Sequence, residues 1–239
     1  MGFENSKLRT AVDRISLESV LLKDIKGQVC LVEPKFSFQA GKVYQLSGKL
    51  GFCSELMRML ALIKKPDEGE LLINGESVFE LTFNESIPYK LNIGYGFDTG
   101  GLINNKTIFE NLMLPLEYHR EITYDEACQV IDSYLELFSL SEYRDVRPAL
   151  VPGFVRKLVC IIRSFIHQPE ILILDGPTTA VDMDRSAILK REIKRQLDSG
   201  SLKFLIFSTS YEDGFRLWDP IKLSLFGESI VENNKKEAS

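Results

Sequence analysis

The chain has 239 residues, 44% of them hydrophobic, which fits one α/β domain or one domain carrying a subdomain. A net charge of −5 leaves no basic footprint, so no nucleic acid partner is expected. No apolar run approaches the ~20 residues needed to span a bilayer, so no direct membrane insertion is expected and any membrane role would run through a partner.

The first ten residues, MGFENSKLRT, lack the apolar core of a signal peptide. Cys30, Cys53, Cys128 and Cys160 show no CxxC spacing and read as reduced thiols of a cytosolic protein without a zinc site. His119 and His167 read as surface or interface residues. Ile15 to Val20 and Gly27 to Phe38 alternate as strands do, and Gly41 marks a turn before a further strand, Val43 to Leu46. The loop SGKLGFCSE, residues 47 to 55, then leads into a helix with Leu56, Met59, Leu60 and Ile63 on one face. Strand, glycine-containing loop and helix is the order a phosphate-binding loop requires. An ordinary strand-to-helix turn satisfies the same order, its helix amino terminus attracting an anion only weakly. Thr123 opens a later helix with a capping box, Thr123-x-x-Glu126. Ala127, Val130, Ile131, Tyr134, Leu135 and Phe138 form its apolar stripe, a packing face. This pattern predicts a helical subdomain over about 85 to 165.

Ile171 to Leu174 is a fully apolar run that stops at Asp175 and a Gly-Pro pair. Such a run reads as a strand buried on both faces, as in a parallel sheet. An acid at the carboxyl end of that strand lies where open α/β sheets place their ligands. Two roles are open for Asp175: holding a metal-bound water near a phosphate, or capping the next turn. A helix follows Asp182, with Leu189, Ile193 and Leu197 on one face. Leu202 to Thr209 form another buried strand with Ser210 at its end, and Leu223 to Val231 carry terminal strands around Gly227-Glu228.

ILILDGPTTAVD, residues 171 to 182, resembles the Walker B strand and D-loop of ATP-binding cassette (ABC) ATPases, hhhhDEPTxxLD. KPDEGELLING, residues 65 to 75, is similar to that family's KPDxGxIxxxG turn and strand. Residues 89 to 119 resemble its Q-loop region, and GGLINNKTIFENLMLPL looks like the branch serving mammalian-cell-entry-type lipid transporters. The resemblance implies one domain over residues 1–239, an α/β nucleotide-binding fold of the ABC type. That fold has a mixed-sheet core with helices and an inserted α-helical subdomain. It also implies a transmembrane permease subunit and a second ABC ATPase subunit (homologue or copy) as partners. The expected place is cytoplasmic, peripheral on the inner face of the membrane.

At the positions that carry the family's chemistry this chain departs from the pattern. The phosphate loop GxxxxGK[ST] uses glycines to let backbone N–H groups approach phosphate, a lysine to balance charge, and a hydroxyl to hold Mg²⁺. Here Ser47 and Phe52 replace the two glycines, Cys53 replaces the lysine, and Ser54 alone keeps its identity. Sliding the frame to Gly48 and Gly51 restores no lysine before a hydroxyl. Asp98 stands for the Q-loop glutamine, Gly176 for the catalytic glutamate and Ser210 for the switch histidine. VPGFV, residues 151 to 155, stands for LSGGQ, whose amides in the family cap the γ-phosphate held by the opposite subunit. Pro152 has no N–H, Phe154 brings a ring where backbone must approach, and only Gly153 remains. LLKDI, residues 21 to 25, offers adenine no aromatic.

The degenerate nucleotide positions are therefore Ser47, Gly48, Cys53, Ser54, Asp98, Gly153, Asp175, Gly176 and Ser210, with no catalytic residue among them. Ser54 and Asp175 remain as the candidate magnesium ligands, so ATP and Mg²⁺ are expected to bind weakly. Asp182 keeps the D-loop acid that in the family lies at the dimer interface. The first function expected is a catalytically degenerate cassette subunit of a membrane transport complex, with lipid as the suggested cargo. The alternatives are an active ABC ATPase with an atypical site and a soluble regulator with this fold.

Overall fold

The computed structural model describes residues 9–49, 51–98, 100–119, 122–209, 218–225 and 229–233. Ser210 and the Gly227-Glu228 turn lie outside the described residues. In chain order the strands are β1 (Arg14–Lys23), β2 (Val29–Gln39), β3 (Lys42–Gly48), β4 (Glu68–Ile73), β5 (Glu76–Ser77), β6 (Ile93–Gly96), β7 (Ile171–Leu174), β8 (Phe204–Ser208), β9 (Ile221–Leu225) and β10 (Val231–Glu232). The helices are α1 (Phe52–Leu60), α2 (Phe83–Lys90), α3 (Ile108–His119), α4 (Tyr124–Leu137), α5 (Gly153–Phe165) and α6 (Met183–Asp198).

Two sheets result. An antiparallel one runs β2-β1-β4-β5 and a larger one runs β10-β9-β3-β8-β7-β6, parallel except for β10. Parallel strands need crossover connections, and these helices supply them and cover the sheet. β7 therefore sits inside: all four of its residues are fully buried, as its unbroken apolar run predicts. Successive side chains alternate across it. Ile171 and Ile173 join Phe204, Ile206, Leu46 and Leu56 in one core, while Leu172 and Leu174 join Leu158, Leu205, Phe207 and Leu112 in the other. The expected α/β mixed-sheet fold is what forms.

Thr123 caps α4 as predicted, its hydroxyl accepting from Glu126 N at 3.3 Å while Glu126 accepts from Thr123 N at 2.7 Å. Of the predicted α4 stripe, Ala127, Ile131, Tyr134, Leu135 and Phe138 are buried.

Three details differ from the sequence reading. α1 stops at Leu60, so Ile63 is off the helix and 54% exposed. The chain turns there because Leu62 adopts φ +56° and Lys64 swings back to Glu55, 2.5 Å away, and to the Lys23 carbonyl. Next, α5 begins at Gly153, so Gly153 and Phe154 are already helical rather than part of a preceding loop. Finally, the span 85 to 165 is mostly helical but contains β6, which pairs with β7 in the main sheet, so a boundary near 85 does not separate helices from sheet. Among the described residues no helix is long and apolar enough to cross a membrane.

Candidate nucleotide site

The carboxyl ends of β3, β6, β7 and β8 lie side by side in the parallel sheet, the edge where such sheets gather ligands. That edge brings together Ser47, Gly48, Asp98, Asp175 and Gly176, with Cys53 and Ser54 arriving on the first turn of α1. Gly153 comes from the start of α5, and Asp182 stands apart at the start of α6.

Asp175 is the hub. Ser54 Oγ donates to its Oδ2 at 2.6 Å and Ser208 Oγ donates to its Oδ1 at 2.7 Å. Ser208 in turn accepts from Gly176 N at 3.0 Å. Both carboxylate oxygens are thus engaged by hydroxyls of this chain, and the circuit ties α1, β7 and β8 together. The turn-capping role does not describe this arrangement, because the side-chain partners of Asp175 lie on α1 and β8 rather than in the turn that follows.

Two of the phosphate-loop positions face inward. Phe52 and Cys53 are buried, at 7% and 8% exposure, and Cys53 is part of the core beneath β3 and β8. Burial, and after it the charge of Asp175, pushes the Cys53 thiol up to about 11. The place of the family's cation therefore holds a neutral thiol at physiological pH. Lys49, the loop's own lysine, lies 4.9 Å over the Phe52 ring. Ser47 Oγ turns to β9, 3.4 Å from the Leu223 carbonyl. Gly48 has a packing reason of its own: a Cβ there would stand 2.5 Å from the Leu225 carbonyl oxygen, so β9 closes against β3 only with glycine. These residues do not fit a magnesium–triphosphate group. The lysine position holds the neutral thiol of Cys53, and Lys49 lies over the Phe52 ring.

Beyond β6 and β7 the site is closed by a lysine that the sequence reading passed over. Lys157 of α5 has a side chain only 5% exposed. Its Nζ donates to the carbonyls of Phe97 and Asp98, each at 3.0 Å, to that of Asp175 at 2.9 Å, and to Asp98 Oδ1 at 3.3 Å. Burial lowers its pKa, and the Asp98 carboxylate opposes that shift. Asp98 also explains Gly176. Gly176 adopts φ +55°, and a Cβ on it would lie 2.8 Å from both Asp98 Oδ1 and Thr179 Oγ1. The room a glutamate would need is taken by Asp98.

Pro152 is the N-cap of α5 and offers no N–H. Phe154 is half-buried, with the Arg185 guanidinium 4.9 Å over its ring. Asp182 is the N-cap of α6, accepting from Arg185 N at 2.9 Å and from Arg185 Nη1 at 2.8 Å. The Arg185 backbone hydrogen bond holds its carboxyl below the usual range. A cavity of 520 Å³ opens between Asp98, Gly153, Lys157 and Thr179. A larger one of 750 Å³, lined by Leu116, Tyr134, Ile166 and Glu192, contains none of the predicted nucleotide-site residues.

A family model described as ABC transporter matches residues 31–179. The chain belongs to the ABC transporter family. Among curated relatives, the methionine import ATP-binding protein MetN of Histophilus somni is 31% identical over 96% of this chain and 61% of its own. MetN of Haemophilus influenzae (Rd) is 32% identical over 80% of this chain and 51% of its own. The chain thus spans about half the length of the curated relatives it matches. The fold is that of solved ABC cassettes. The dimeric structure of MJ0796, a bacterial ABC transporter cassette, aligns with TM-score 0.82 at 20% identity over 94% of this chain and 100% of that one. The structure of cbiO1 from Clostridium perfringens, part of the ABC transporter complex cbiONQ, aligns at 0.73 and 18% identity over 95% and 90%. The lipid cargo suggested by residues 100 to 116 gains no support from relatives whose names are for methionine import.

Proposed function

We propose that this ABC-family chain is a cassette subunit of a membrane transport complex that does not turn over ATP at its own site. The observation that carries the reading is the end of β7. Where the family pattern asks for a water-positioning glutamate, Gly176 is left-handed and the Asp98 carboxylate occupies the adjoining space. The neutral, buried Cys53 supports it from the phosphate side. Any ATP binding is expected to be weak and largely independent of Mg²⁺, because Cys53 stands where the family's loop lysine would balance the triphosphate. Purified chain assayed with ATP and Mg²⁺ tests this. Turnover at about 1 s⁻¹ that Asp175→Ala abolishes would overturn it in favour of an active ATPase with an atypical site.

Attachment to a permease from the cytoplasmic side needs shape and apolar surface, not nucleotide chemistry. An apolar groove of 330 Å³ runs between α2 and α3, lined by Phe83, Ile87, Leu91, Leu114, Pro115 and Tyr118. Phe83 and Tyr118 are 68% and 69% exposed at its rim. A permease contact built around this groove should bury ~1,000 Å² or more. Tagged chain extracted from membranes in mild detergent is expected to bring down a permease and a second cassette subunit. Phe83→Ser with Tyr118→Ser should lower that recovery without changing Tm. Recovery of a soluble monomer alone under crosslinking would support a free-standing regulator instead. Of the two cargo classes, the names of the MetN relatives favour an amino acid over a lipid.

A further inference from the structure

We propose that Lys157 is an internal clamp that fixes the segment leaving β6 to the end of β7 with no ligand present. The geometry is that of a built device. A lysine with a 5% exposed side chain sends its ammonium to three backbone carbonyls and one carboxylate. Two of those carbonyls, Phe97 and Asp98, lie just beyond β6, and the third, Asp175, lies just beyond β7. An ammonium has three protons to give, and here four acceptors surround it, so its donors are saturated by this chain alone. Burying such a charge is costly unless every donor is met. The protein accepts that cost at one point, where two strand ends and a helix converge. Gly176 completes the arrangement, since any side chain there would meet Asp98 Oδ1. A second cation of α5, Arg163, holds the same stretch further along through the Gly101 carbonyl and Asn111 Oδ1.

The consequence is a 520 Å³ cavity whose wall at Phe97 and Asp98 keeps one shape whether or not anything enters it. This goes beyond the loss of turnover proposed above, because a site can lose its catalytic groups and still have walls that a ligand must order. Lys157 acts here by positioning backbone.

The test is ¹⁵N relaxation on the full chain, read at the amides of Phe97 and Asp98. In the unaltered protein their order parameters are expected near ~0.85, as for rigid backbone, with and without excess ATP and Mg²⁺. In Lys157→Met they should fall below ~0.6, as for a flexible segment, while those of β1 and β2 stay unchanged. If Lys157→Met does not fold, Lys157→Gln, which keeps two N–H donors on a shorter arm, is read the same way. Order that persists in the variant overturns the clamp. So does order in the unaltered protein that develops only when ATP is added. Neither result bears on turnover, which the ATPase assay decides separately.

Discussion

Gly176→Glu returns to this chain the carboxylate that its family pattern asks for, and the structure sets what that costs. At φ +55° the backbone of residue 176 is left-handed, a conformation that costs a residue with a Cβ roughly 1–2 kcal/mol. The new Cβ would lie 2.8 Å from Asp98 Oδ1 and from Thr179 Oγ1, so both must turn away. Asp98 then leaves Lys157. Its side chain is 45% exposed, so that contact is discounted for solvent screening to about 0–1 kcal/mol. The total is about 2 kcal/mol, a fall in Tm of about 4–8 °C for a chain of this size. Calorimetry and urea unfolding measure it, and Gly176→Ala isolates the backbone part. Turnover should stay at background, because Phe52 and Cys53 are unchanged. The reasoning is refuted if Gly176→Glu unfolds within ~0.5 kcal/mol of the parent, the usual range for a neutral surface change, or if the variant hydrolyses ATP.

Cys53 should resist alkylation at neutral pH, its rate rising only as pH approaches about 11. Its folded pKa is raised from the ordinary thiol value of 9.0, so the folded state holds the proton more tightly, and the stability this gives is present below 9 and lost as pH climbs towards 11. Cys53→Ala should remove about 2–3 kcal/mol of that alkaline loss, read as a flatter Tm-against-pH curve above 9; an identical curve would count against it. Ser208→Ala should cost about 1–3 kcal/mol in urea unfolding, since it strands Gly176 N and one oxygen of Asp175. A loss under ~0.5 kcal/mol would mean that the hydroxyl circuit does not bear on stability. Finally, titrating this chain into a competent ABC ATPase should drive turnover down towards background rather than to a half-active plateau.

What the sequence could show depended on how local each cause is. β7 and its acid were legible because a strand buried on both faces leaves an unbroken apolar run, and the cap at Thr123 because both partners lie within four residues. Lys157 was not. α5 is amphipathic, and Lys157 falls with Arg156, Arg163 and Ser164 on its polar stripe, which reads as a solvent face, while its acceptors after β6 lie 59 and 60 residues away. Gly48 read as part of a phosphate loop, and its close approach to the Leu225 carbonyl on β9 is a distant contact that the local sequence does not show. Ile63 continued the helical spacing, and the turn that ends α1 at Leu62 carries no glycine or proline to announce it. Ser208 had no signal at all, being one serine at the end of an apolar strand.

On the proposed reading both halves of a shared site are lost, and the titration outcome follows from that. By the family pattern, a nucleotide held on one subunit's phosphate loop is capped by the signature loop of the other. A chain lacking only its phosphate loop could still complete the site on a competent partner. In this chain the signature position is altered as well. Pro152 has no N–H to give, and the Phe154 ring is held beside Arg185. Removing one well-placed donor from a site that stabilises developing charge costs about 10²–10³ in rate. In a mixed dimer the partner's nucleotide would face this altered loop, while the partner's intact signature would face Phe52 and Cys53. Each composite site then lacks one half, and neither should turn over. With this chain in excess, ATPase activity per competent subunit should therefore approach background. A plateau near half the parent rate would show that Gly153 alone can cap a partner's nucleotide, and would make this subunit a working half of one active site.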